Sequence, residues 1–274
     1  YKALGINLDG GFAEYCVIPE AAVRGGNVIP LPDGVSFEEA AVNEALSCVC
    51  NGFERCDIRP GDTVVVIGAG PIGLMHASLA KMAGAGRIYI NDLSDERLNS
   101  CSKVDPAFLT VGEEIEERIA RETGGAGADV CITACPAPAA QAMALRLGGN
   151  NAWINFFGGI PVSKEPVAVD TNLIHYKQLR VSGTTRASLA QYRKTLRYIG
   201  TGVLDVKRLI TARLPLSEIQ KGFDLARRGA EKRHGDGIGR ESHAESALDR
   251  GGYRNPGHQS GPFFSGWPNA RREL

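Results

Sequence analysis

The sequence predicts a doubly wound α/β domain with a parallel sheet. Three observations carry that expectation. Apolar strand-like runs alternate with helical stretches from about residue 60 to residue 182. The first run, Thr63–Ile67, goes straight into a glycine cluster that opens a helix. The next run, Arg87–Asn91, ends on an acid, Asp92.

Thr63–Ile67 reads TVVVI, apolar throughout, as expected of a strand covered on both faces. A helix is expected over 71–83, a strand over 87–91 and a helix near 94–103. Phe108–Val111 reads as a strand and 113–123 as a charged helix. Strands at Asp129–Thr133, Ala152–Phe157 and Leu179–Ser182 follow, with a helix near 137–146. Helices are expected again at 188–200 and 216–228. Upstream, 10–35 reads as short strands and turns, because Phe12, Tyr15, Val17 and Ile18 are strand formers and Pro30, Pro32 and Gly34 punctuate the chain. Ser36-Phe37-Glu38-Glu39 is a capping-box sequence, so a helix should begin there and run to about Phe53.

Composition narrows the function classes. Lys plus Arg and Asp plus Glu are 31 each in 274 residues, so the net charge is zero and nothing favours nucleic acid as a partner. No apolar run approaches the roughly 20 residues of a membrane span. The seven cysteines are irregularly spaced and contain no C-x-x-C pair; most of them read as small buried hydrophobes, in a reducing, cytoplasmic setting. No signal peptide precedes Tyr1, which reads as a fragment or an internal start.

Gly68-Ala69-Gly70-Pro71-Ile72-Gly73 is a G-x-G-x-x-G in the strand–turn–helix context of a Rossmann dinucleotide site. Gly68 permits the turn, Gly70 lets a pyrophosphate approach the backbone, and Gly73 lets helix and strand pack closely. Pro71 suits a first helical turn, where its missing N–H costs nothing, and N–H groups such as that of Ile72 are left to meet a diphosphate. Asp92 lies 19 residues beyond Gly73. A carboxylate there accepts from ribose hydroxyls and repels a 2′-phosphate, which predicts NAD over NADP. Arg97, one helical turn on, is a candidate to flank the adenine.

These residues resemble the medium-chain dehydrogenases, in particular the zinc-dependent sorbitol/threonine dehydrogenase branch. The resemblance runs from about Gly10 to Arg228. It is carried by Gly10-Gly11-Phe12-Ala13-Glu14-Tyr15, Val28–Pro32, Glu44-Ala45-Leu46-Ser47, the glycine motif, Asn91–Ser94, Phe156-Phe157-Gly158-Gly159, Asn172–Lys177 and Leu209–Leu216. It implies remnants of a GroES-like catalytic domain with a linking helix over 1–58 and an NAD-binding domain over 59–186. Helices and a return segment over 187–229 and a disordered tail over 230–274 complete the expected organisation.

It further implies a small alcohol or polyol substrate, a homo-oligomer, and zinc as second cofactor, with Glu44 approaching the metal or its water. Phe157, Gly158 and Gly159, with Thr133–Pro136 and Ser182–Thr184, would line the nicotinamide half. The departures are as telling. The family's leading Cys, its G-H-E segment and its four structural-zinc cysteines belong ahead of Gly10 and are not in this sequence. Ala45 stands where the family usually has Pro, and His175 is expected to be packed rather than ligating. The resemblance therefore implies an N-terminally truncated, catalytically silent member, with a plain NAD-binding module as the alternative. After Arg228 the family pattern stops. With T at the wobble positions, Arg233–Gly237 reads in the next frame as Val-Met-Val-Met, so a frameshifted translation from about residue 231 is one reading of the tail.

Overall fold

The computed structural model describes residues 2–161 and 166–231. The chain divides into two compact units, Tyr1–Asp224 and Leu225–Leu274. Every strand among the described residues lies in the first. The expectations for the tail fall almost wholly outside the described residues.

Six strands form one parallel sheet: β1 Thr63–Ile67, β2 Arg87–Asn91, β3 Leu109–Val111, β4 Ala128–Thr133, β5 Gly148–Phe156 and β6 Arg180–Gly183, in the order β3-β2-β1-β4-β5-β6. The order reverses between β1 and β4, beside the glycine turn, as the motif predicts. All five β1 residues are buried, which accounts for the unbroken apolar run. Each Val buried there contributes about 1.5–3 kcal/mol from apolar area alone.

Both faces of the sheet are covered. On one, Val65, Ile67, Tyr89, Cys131 and Ile154 meet α5 (Ile115–Glu122) and α6 (Pro138–Leu147). On the other, Val64, Val66, Ile88, Ile90, Val130 and Ile132 meet α3 (Pro71–Met82) and α4 (Asp95–Val104). A third apolar cluster joins α2 (Phe37–Phe53) to α3 and α8 (Leu189–Gly200) through Leu46, Val49, Cys50, Met75, Leu79 and Ile199. Of the seven cysteines, Cys50, Cys56, Cys101 and Cys131 are buried. Burial pushes the Cys50 and Cys101 thiols up to about 11 and Cys56 to about 12, and raises Cys131 further.

Two expectations fail. No strand forms over 10–35 among the described residues. The segment is bends and loop with one short helix, α1 (Glu20–Arg24), closed by the Arg24–Glu20 ion pair at 2.6 Å. Strand formers make a strand only where a ladder partner is present, and Phe12, Tyr15 and Val17 are instead 75%, 90% and 87% exposed. His175, on α7 (Thr171–Tyr176), is exposed with its ring edge-on to Tyr176 at 4.8 Å, not packed in the core.

The capping box at the start of α2 is present as read. Glu39 N donates to Ser36 Oγ at 3.3 Å, and Ser36 N donates to the Glu39 carboxylate at 3.0 Å. Ser36→Ala should cost about 1 kcal/mol and lower Tm by about 2–4 °C, read by thermal unfolding. An unchanged Tm would show that α2 is held by its packing alone.

Candidate cofactor site

The site is a crescent along the C-terminal ends of β2, β1, β4 and β5. The β1 turn hangs from its neighbours: Gly68 N donates to Asn91 O and Ala134 N donates to Ile67 O, both at 2.7 Å. Gly68 has φ +118°, a conformation open to glycine but not to L side chains. A Cβ on Gly73 would lie 1.8 Å from Gly68 O. Any side chain there would push α3 off the turn, so the third glycine of the motif serves close packing.

Gly70 is the extended N-cap of α3 and Pro71 its first residue. The Ile72 and Gly73 N–H groups therefore have no partner inside the helix and offer an anion site at its positive end. Only the Ile72 backbone belongs to that site. Its side chain packs half-buried against the α2–α3–α8 cluster, because a first-turn residue one position from Gly73 faces the neighbouring helix.

Asp92 is tied to this turn. One carboxylate oxygen accepts from Ala69 N at 2.9 Å, the other from Ser94 N at 3.0 Å. Arg97 Nη1 lies 3.4 Å from the first. Three of roughly four acceptor directions are thus engaged, which leaves room for a ribose hydroxyl. Arg97 stands beside the carboxylate, where the ribose is expected; the adenine role read from its position receives no separate support. Asn91 braces the same corner, donating to Val111 O at 3.0 Å and Gly112 O at 2.7 Å.

The crescent continues to β4 and β5. A Cβ on Gly68 would meet Ala134 at 3.1 Å and Cys135 at 3.3 Å, and one on Gly158 would meet Cys135 O at 2.4 Å. Gly158 N donates to Thr133 O at 2.7 Å. Phe157 precedes that turn and is met edge-on by His76 of α3, with ring centroids 4.7 Å apart. Asn155, fully buried on β5, donates to Ser182 Oγ at 3.0 Å and accepts from Thr184 Oγ1 at 3.4 Å. Gly68, Gly70, Gly73, Asp92, Arg97, Phe157 and Gly158 are therefore brought to one rim of the sheet. The glycine cradle and the acceptor carboxylate fit an adenine dinucleotide.

His76 and Asn155 were not singled out by the sequence reading. The available signal was a polar residue inside an apolar helix or strand.

Glu44 is not brought to this rim. It lies on α2 two turns before Gly52, about 12 Å along the axis, and is exposed. Among the described residues its carboxylate accepts only a long contact from Cys48 Sγ at 3.6 Å. Burial, then the Glu44 charge, push that thiol up to about 11. No group of three His, Cys, Asp or Glu side chains able to hold a metal occurs among the described residues. Zinc needs three or four ligands, and the described residues do not fit it.

The geometry defines a dinucleotide-binding domain of dehydrogenase type. Comparison with known proteins gives the family. Residues 71–200 match the zinc-binding dehydrogenase family. An L-threonine 3-dehydrogenase of Bacillus velezensis is 34% identical over 233 residues, covering 83% of this chain and 65% of that protein. A solved structure described as a short chain alcohol dehydrogenase of E. coli CFT073, complexed with NADH, superposes with TM-score 0.73 at 25% identity, covering 82% of this chain and 65% of that one. A Sinorhizobium meliloti 1021 dehydrogenase structure bound to NADP gives TM-score 0.72 at 27% identity, covering 80% and 64%. The chain belongs to the zinc-type medium-chain alcohol dehydrogenase family. It spans a little under two thirds of the length of these relatives. No helix among the described residues is long and apolar enough to cross a membrane.

His76 also makes the site's pH dependence legible. It is 1% exposed, and neither ring nitrogen has a hydrogen-bond partner among the described residues. Burial alone lowers its pKa from 6.5 to about 3. The unfolded chain therefore binds a proton at this position that the folded chain refuses, and stability falls as pH drops below 6.5. The slope approaches about 1.4 kcal/mol per pH unit before carboxylates begin to titrate. Urea unfolding at pH 7.5, 6 and 5 should show it, and His76→Phe should flatten it; equal slopes in both proteins would contradict a buried neutral imidazole.

Proposed function

We propose that this chain is the NAD-binding part of a dehydrogenase that oxidises a secondary alcohol or polyol. When bound, the nicotinamide would accept a hydride from the carbinol carbon. The observation that carries the reading is the junction of the Gly68–Gly73 turn with Asp92, held together by the 2.9 Å bond from Ala69 N. We assign residues 59–186 to this role. The segments on either side, 1–58 and 187–229, are read as belonging to the substrate-binding half. The family reading extends to a homo-oligomer, tested by sedimentation of the whole protein.

The chain's own residues do the binding. The α3 N-terminus and the side-chain-free turn take the diphosphate; Asp92 takes the ribose; the Cys135 and Gly158 backbone walls the nicotinamide end. Asp92 supports NAD, since a 2′-phosphate would face its charge. Arg97 at 3.4 Å is the counterweight, because a guanidinium freed from that carboxylate suits a phosphate. Asp92→Ala should therefore weaken NAD about tenfold, or 1.4 kcal/mol, and strengthen NADP relative to it. Calorimetric titration with both cofactors checks this. Equal affinities in the unmutated chain would remove Asp92 from the site.

Turnover is a separate matter. The described residues offer only the Glu44–Cys48 pair there, which is too few ligands for catalytic zinc. Assayed alone with sorbitol or threonine, NAD and added zinc, this chain should bind NAD yet form no NADH. Zinc-dependent, chelator-sensitive turnover would show that a metal site has been overlooked. An NAD-binding module without chemistry is the second reading, favoured by the same ligand shortage.

A further inference from the structure

His76 is an expensive residue where it stands. Its ring is buried, its two nitrogens lack partners among the described residues, and a leucine would fill an apolar helix face at less cost. Yet the surrounding chain makes room for it. Gly52 of α2 comes so close that a Cβ there would lie 3.0 Å from His76 Cε1, 3.0 Å from Phe157 Cδ2 and 3.4 Å from Asn155 Oδ1. Three elements converge on one point, and the ring pair of His76 and Phe157 occupies it at an interplanar angle of 81°.

The placement matters because of what each ring is joined to. His76 sits three residues beyond Gly73, on the helix whose start is the diphosphate site. Phe157 is joined to Gly158, whose N–H is bonded to Thr133 O and on which a Cβ would lie 2.4 Å from Cys135 O. The ring contact is thus a direct side-chain link between the phosphate helix and the turn at the far end of the crescent. A flat ring meeting another edge-on fixes direction as well as distance, which a flexible aliphatic chain does not.

We propose that His76 is a positioning residue for the nicotinamide half of the cofactor. Through Phe157 it sets the Gly158 turn against the end of β4, in register with the phosphate helix. The proposal rests on the NAD reading above. It does not involve Asp92 or the adenosine half, and that separation makes it testable.

The test compares NADH with ADP-ribose, which carries the adenosine and diphosphate but no nicotinamide, by calorimetric titration of the full chain. His76→Leu should leave ADP-ribose affinity within about twofold and weaken NADH about tenfold. His76→Phe, which keeps the ring contact without the nitrogens, should hold NADH affinity within about threefold of the unmutated chain. Phe157→Leu leaves His76 in place and should repeat the nicotinamide-selective loss, so the outcome does not hang on the folding of one variant. Equal loss of both ligands in His76→Leu and Phe157→Leu, or no loss in either, would overturn the role of His76 while leaving the cofactor site standing. Failure of the unmutated chain to bind ADP-ribose would overturn the cofactor reading, and the proposal with it.

Discussion

Helix α3 can leave strand β1 as it does only because nothing stands between Gly73 and the Gly68 carbonyl. The site depends on that contact, since a methyl group at Gly73 would sit 1.8 Å from the oxygen. With the helix drawn in, its first N–H groups point over the end of β1, and the Ala69 N–H is delivered to Asp92 across the gap to β2. Moving α3 outward would take its own N-terminus, the Ala69–Asp92 bond and the His76–Phe157 contact out of alignment together. Atoms that are absent at Gly52, Gly68, Gly73 and Gly158 shape this rim as much as those present.

The charged groups are distributed to match. Asp92 accepts from two backbone N–H groups and has Arg97 beside it, so its negative charge is stabilised without being consumed. Toward the β5 end lie neutral polar groups: Asn155, Ser182, Thr184 and an imidazole that burial keeps unprotonated. A charged adenosine corner and a neutral far end suit a cofactor whose phosphates need positive potential and whose reactive ring needs a defined, less polar wall.

Much of this was legible in the residues. The alternation and the apolar run of β1 gave the parallel sheet, and the glycine spacing placed its switch point beside Gly68. What escaped has a physical pattern. Strand propensity in 10–35 could not reveal whether a partner strand exists, and Phe12, Tyr15 and Val17 have none among the described residues. Arg97 sits five residues from Asp92, outside the helical pair spacing that would have suggested their ion pair. His76 and Asn155 were absorbed into apolar patterns because one polar residue does not disturb a periodicity; their contacts come from α2 and β6, distant in sequence. Glu44 was carried by resemblance alone, and among the described residues no group of three His, Cys, Asp or Glu able to hold a metal includes it.

The buried cysteines give this molecule a set of internal reporters. Cys131 belongs to the cluster under α5 and α6, Cys56 and Cys101 to the one under α3 and α4, and Cys50 to the one between α2, α3 and α8. Burial holds each thiol protonated, and only a thiolate reacts readily. A small alkylating reagent would therefore mark each layer only when that layer parts. Peptide mapping of the order in which the four are labelled would show which layer opens first, on the unaltered protein, with no probe introduced.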